Sequence, residues 1–158
     1  MSETHQAAIP EADDYAVALL NTLIETALDS VVGYEKAAEL ARNPRFQNLF
    51  KDKAQARRKM ADELKSEVSG LGAEPWDKSS FRGRAQRAFL ELRDKIGGKS
   101  DKPVIEAVEH DEDFIRDQFA ESANDVRLPQ TARDLVNRLH GALAADHDEI
   151  SAIKHEFE

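Results

Sequence analysis

The sequence predicts an all-α protein, a bundle of four long helices with a long crossover between the second and the third. Three observations carry this. Apolar residues recur at alternating three- and four-residue spacings through four separate segments, the signature of one buried helix face. Helix breakers are scarce, with seven Gly and five Pro in 158 residues, and most of them fall at the segment boundaries. Hydrophobic residues make up 41% and charged residues 34%, a balance suited to a helical globular protein.

The first helix is expected from about Glu11 to Arg42, opened by Pro10 and an acidic turn of Glu11, Asp13 and Asp14. Its stripe reads Ala16, Leu20, Leu23, Ala27, Val31, Tyr34, Ala38, and Asn43-Pro44 breaks it. The second runs from about Pro44 to Leu71 on Phe46, Leu49 or Phe50, Lys53, Arg57, Met60, Leu64, Val68 and Leu71. Gly70, Gly72 and Pro75 supply its stop. Within the connection that follows, Phe81, Ala85, Phe89, Leu92 and Ile96 make one face of a short extra helix ending at Gly97-Gly98. Ser100 or Asp101 caps the third helix, whose stripe is Val104 and Ile105, Val108, Asp111 and Glu112, Ile115, Phe119, Ala123, Val126. Leu128-Pro129 opens the fourth, with Ala132, Leu135, Leu139, Leu143, Asp146, Ile150, Ile153 and Phe157 in register.

Two helical hairpins joined by a long crossover have the connectivity of a ferritin-like four-helix bundle. A crossover helix of about 17 residues spans about 25 Å, enough to climb the bundle. The chain is of single-domain length, so residues 11–158 are expected to form one such domain behind a flexible tail of residues 1–10.

The composition removes several classes of chemistry. With no cysteine there is no disulfide, no Cys-based zinc site and no thiol nucleophile, in keeping with a cytoplasmic protein. No run approaches about 18 apolar residues, so no membrane span is expected, and Met1–Pro10 lacks the pattern of a secretory signal. The net charge of −9 disfavours nucleic acid as a partner. The crossover itself is basic, with Arg82, Arg84, Arg87, Arg93, Lys95, Lys99 and Lys102 against Glu91, Asp94 and Asp101. Lacking interleaved aromatics, these charges read as pairing with the acidic bundle surface; docking of nucleic acid or of an unidentified protein partner is the weaker reading. There is no phosphate-binding glycine loop, Ser-His-Asp arrangement or HExxH.

What stands out is charge on the apolar stripes: Lys53, Arg57, Glu112 and Asp146. A charge on a core stripe is costly unless it is paired or holds a metal. Counted from the end where the first helix turns into the second, Arg57, Glu112, Asp146 and His147 fall within about one helical turn of the same height, and Lys53 lies one turn away. A di-metal carboxylate centre would be built in such a layer, from a Glu on each of two helices and a Glu-x-x-His on each of the others. On the second helix Arg57 and Met60 stand where Glu and His would. On the fourth, Ala144 precedes His147 by three, and the first offers Ala27 or Val31 at this height.

Glu109, Glu112, Asp146 and His147, with Glu35 near the first stripe, could still hold a single iron or other divalent ion. The simpler reading is that Arg57 takes the place of the metal charge and neutralises Glu112 and Asp146 in a buried network with Lys53, with no cofactor. Glu25 and Asp29 point away from the stripe, to solvent or another subunit. His110, His140 and His155 carry no expected role, and Trp76 is expected to pin the crossover to the bundle.

The run Leu20-Asn21-x-Leu23-Ile24-Glu25-x-x-x-Asp29-x-x-x-Gly33-Tyr34-Glu35-x-Ala37-Ala38-Glu39 resembles a bacterial ferritin-like family, domain of unknown function 2383. The resemblance continues in Leu71-Gly72 with Pro75, Ser80-x-x-Gly83-x-x-x-Arg87, Glu109-x-x-Glu112-Asp113, Leu128-Pro129 and His147-Asp148-x-Ile150. It departs at Gln86, where the family commonly has His, and at Phe119, where it has Tyr; both changes remove polar chemistry. The resemblance implies a ferritin-like bundle without an established reaction. The resulting expectation is a non-enzymatic homo-oligomer, a dimer by preference, acting through its surface; ferroxidase-type activity is the only enzymatic candidate. Analogy with ferritin-like relatives would place it in stress physiology.

Overall fold

Four helices form where the four stripes place them: α1 (Pro10–Leu40), α2 (Pro44–Gly70), α3 (Lys102–Ala123) and α4 (Gln130–His155). The computed structural model describes residues 10–78 and 100–158. The tail, the short helix expected from Phe81 to Ile96 and most of the basic crossover lie outside the described residues.

The boundaries follow from local chemistry. Pro44 stands in the first turn of α2, where a missing N–H costs nothing, and Asn43 caps it by accepting from the Arg45 N–H at 2.9 Å. At the other end Gly72 takes φ 84°, a left-handed conformation that a side chain would resist. Its N–H reaches Ser69 O at 3.0 Å and that of Ala73 reaches Val68 O at 3.3 Å, the two bonds of a Schellman stop.

The start of α3 divides its tasks between two residues. Ser100 Oγ accepts from the Lys102 N–H at 3.0 Å. The buried Asp101 carboxylate instead spans to the α1–α2 turn, accepting from the N–H groups of Arg42 and Asn43, each at 2.9 Å. Asp101→Ala strands two backbone donors in that turn and is expected to cost about 1–3 kcal/mol, read as a lower urea midpoint with unchanged slope.

Cross-helix contacts fix the directions. Tyr15 at the start of α1 meets Asp125 just past α3, while Tyr34 meets Glu112 near the middle. Along α2 and α4, Arg45 pairs with Glu156, Arg57 with Asp146, Glu63 with Arg138 and Glu67 with Thr131. Each adjacent pair is antiparallel, so α2 and α3 are parallel and diagonal. The end of α2 and the start of α3 therefore lie at opposite ends of the bundle.

The core has two apolar compartments. One gathers Leu20, Leu23, Leu64, Ile115, Phe119 and Leu143. The other gathers Tyr34, Phe46, Phe50, Ile105, Val108 and Ile150, with ring centroids of Tyr34 and Phe50 5.9 Å apart. Between them lie Arg57 and Glu112, which belong to neither.

Several expectations need correction. Val126 lies beyond α3 in the following turn and is 78% exposed. On α4, Val136 enters the core while Leu135 is only half-buried, because a helix of 3.6 residues per turn drifts from a strict stripe. Trp76 is half-exposed and does not pin the connection; its backbone N–H does, donating to Asn21 Oδ1 at 2.9 Å. Finally, α1 between Asp14 and Leu40 reaches a mean hydropathy of 1.4 over 18 residues, enough by length and composition to cross a membrane. Its apolar side chains Ala16, Leu20, Leu23, Ile24 and Ala27 are spent inside the bundle instead.

Candidate functional site

All four helices contribute side chains to the network between the compartments, with Tyr34 reaching it from the edge of one of them. Arg57 of α2, fully buried, donates through Nη2 to Glu112 Oε1 of α3 at 2.5 Å and through Nη1 to Asp146 Oδ2 of α4 at 3.2 Å. Its guanidinium carbon stands 5.4 Å from the ring centroid of Tyr34 on α1. The Tyr34 hydroxyl donates to the same Glu112 oxygen that Arg57 uses. Lys53, one turn from Arg57 on α2, donates to Asp146 Oδ1 at 2.7 Å and to Glu149 Oε1 at 2.5 Å. The network thus runs inward from Glu149, whose side chain is 48% exposed, to Glu112 at 1%.

The dry end sets the electrostatics. Burial raises the Glu112 carboxyl above the usual range, although Arg57 and the Tyr34 hydrogen bond both oppose it. Burial, with the Glu112 charge beside it, lifts the Tyr34 phenol well above its ordinary value. Burial alone would lower Lys53, but Asp146 and Glu149 together carry it above its ordinary value. Because both donors converge on Oε1, Glu112 Oε2 is left buried with no donor, and Arg57 Nε is buried with no acceptor.

The four residues of the predicted ion network are brought together. The five predicted metal ligands are not. Only Glu112 and Asp146 share the layer. Glu35, about 100° round α1 from Tyr34, is exposed and pairs with Arg58 on the α1–α2 surface. Glu109 faces α4, where it accepts from Ser151 Oγ at 2.8 Å and Lys154 Nζ at 2.9 Å; the Lys154 bond leads in holding its carboxyl below the usual range. His147 turns toward Asp113 and lies 2.5 Å from it through Nε2. Among the described residues no group of three or more His, Cys, Asp and Glu is arranged to hold a metal.

Sequence reasoning missed two members of the network and the partner of His147. Tyr34 looks like an ordinary core aromatic; its only signal is a polar head at the height of the charges. Glu149 lies three residues after Asp146, hence on the same face of α4. Asp113 follows Glu112 directly but faces His147. Gly33 also matters here, since a Cβ at that position would stand 3.3 Å from Asp111 Oδ2, marking a close approach of α1 to α3.

A bundle of this fold is where a two-metal carboxylate centre is built elsewhere. The residues present do not fit one. A permanent cation occupies the centre, and both carboxylates beside it are already bonded to cationic side chains.

Comparison with known proteins agrees with this architecture. No curated protein matches the chain. Among solved structures, a mutant of Mycobacterium smegmatis Dps1 superposes with a TM-score of 0.71 at 16% identity, covering 91% of this chain and 97% of that one. At that identity the likeness is one of fold. A family model described as "Domain of unknown function (DUF2383)" matches residues 15–125. The chain therefore belongs to the DUF2383 family, and its fold is a ferritin-like four-helix bundle.

Proposed function

We propose that this protein is a non-enzymatic ferritin-like bundle whose centre is neutralised by an arginine instead of metal, and that it works through its surface as a homo-oligomer. One observation carries the reading: the fully buried Arg57 bonds Glu112 and Asp146 from two other helices. A guanidinium cannot leave, be oxidised or be exchanged, so the layer that would run redox chemistry is committed to holding the helices together. The competing reading, a single iron or similar ion on Glu109, Glu112, Asp146 and His147, would have to break the bonds of Glu109 to Lys154 and of His147 to Asp113. A dimer is the assembly we favour. Leu28 and Val32, which pack against the core and stay half-buried, lie near Glu25 and Asp29 on α1, a strip that a second copy could cover. Placement in the cytoplasm and in stress physiology rests on composition and on analogy.

Elemental analysis of protein purified without chelator, followed by titration with Fe(II), Mn(II) and Zn(II), tests the reading. The expected result is less than one metal per chain, unaffected by His147→Ala, with a dimer in sedimentation. Stoichiometric metal that disappears in His147→Ala would overturn it.

A further inference from the structure

We infer that the cleft between α1 and α2 seats a second copy of this chain, held by a self-complementary set of four charges, Glu35, Glu39, Lys51 and Arg58. The inference rests on the dimer in the reading above and names its contact. A cleft of about 480 Å³ runs between the two helices. Its lining includes Ala38 and Ala54, both buried and too small to fill it. Glu35 and Glu39 of α1 stand on one side, Lys51 and Arg58 of α2 on the other, and all four are exposed. One rim is therefore negative and the other positive.

Because α1 and α2 are antiparallel, these charges stand at two heights. Arg58 pairs with Glu35 at one, while Glu39 and Lys51 lie nearer the α1–α2 turn. A two-fold axis through the middle of the cleft exchanges both the rims and the heights. The second copy's Arg58 then comes over Glu39 and its Lys51 over Glu35, and the same two contacts recur in the opposite direction. All four contacts join opposite charges. The existing Glu35–Arg58 pair does not forbid this, since a guanidinium has five N–H donors and both side chains are about half exposed. The four charges also sum to zero in a chain of net charge −9, so two copies meet here without the repulsion that the whole surface would supply. Leu28, Val32, Glu35 and Glu39 follow at spacings of four, three and four, which aligns them on one face of α1. The half-buried apolar pair thus continues the charged rim.

The test is analytical ultracentrifugation of the full chain, comparing the parent with Glu39→Arg, with Arg58→Glu and with an equimolar mixture of the two. Either variant alone sets like charges together at both copies of one contact, and its dimer dissociation constant is expected to rise at least about tenfold. In the mixture each variant supplies the charge that the other has lost. A heterodimer is therefore expected, with a dissociation constant within about threefold of the parent's. Raising NaCl from about 50 to 500 mM should weaken the parent dimer and the heterodimer alike. Should either reversal cost helical circular dichroism, Glu39→Gln and Arg58→Gln replace the pair, each expected to weaken the dimer about threefold. A parent dimer that none of these substitutions weakens, or a mixture no tighter than its components, overturns the inference and leaves the dimer reading standing. A parent that stays monomeric at about 100 μM overturns the dimer reading itself, and the inference with it.

Discussion

Arg57→Ala is expected to lower the unfolding free energy by about 3–5 kcal/mol at neutral pH in chelator, a fall of about 10 °C or more in melting temperature for a chain of this size. The loss comes less from the bonds removed than from what remains. Glu112 is buried to 1% exposure and would keep only the Tyr34 hydroxyl, while Asp146 would keep Lys53. The sign of the pH dependence follows from the direction of the Glu112 shift. Its folded-state carboxyl is already raised by burial against the pull of Arg57. A raised acid contributes stability below its unfolded value and loses it as pH rises through the folded value. Without Arg57 the carboxyl rises further, so the defect should be largest above neutral pH and narrow in acid as Glu112 takes a proton. Adding Glu112→Gln should flatten that dependence. Melting curves across pH 5–8 would show it; an Arg57→Ala protein as stable as the parent at neutral pH would mean that the network carries no stability.

Replacing the whole layer should act in the opposite direction. The combination Tyr34→Phe, Arg57→Met, Glu112→Leu and Asp146→Leu is expected to leave stability unchanged or raise it by about 1–4 kcal/mol. No charge is left alone: the partners of Arg57 go with it, and Lys53 retains Glu149. The two apolar compartments would then join through a continuous layer, gaining burial without desolvating ions. Denaturant titration decides it. A midpoint well below that of the parent would show that the ion network is a net source of stability. Near-ultraviolet circular dichroism would show whether a single packing survives.

The contrast between these variants explains what could be read from the chain. Arg57 and Glu112 were legible because a charge on an apolar stripe admits few explanations, and helix lengths set them at one height. The helices themselves were legible for the related reason that α1 to α4 each keep their period through several turns. Partner choice was not. Glu109 and His147 lie near the right stripes, yet a rotation of about 60–100° sends them to Lys154 and Asp113, and only the packed neighbours decide that. Glu35 failed likewise, since Arg58 lies across the α1–α2 groove where a helical wheel cannot show it. Tyr34 was hidden by its own ring, which packs on Phe50 as any core aromatic would while its hydroxyl serves Glu112.

The placement of Asp101 has a consequence for the field at one end of the bundle. Because α2 and α3 are parallel, the positive ends of both macrodipoles emerge together there, beside Arg42 and Arg45. Asp101 occupies the N-cap position of α3 while its carboxylate accepts from Arg42 and from Asn43, the cap of α2. A single anion therefore compensates two helix termini, and Asp101→Asn would set an amide NH2 against one of the two backbone donors while leaving both positive ends to be screened by solvent alone.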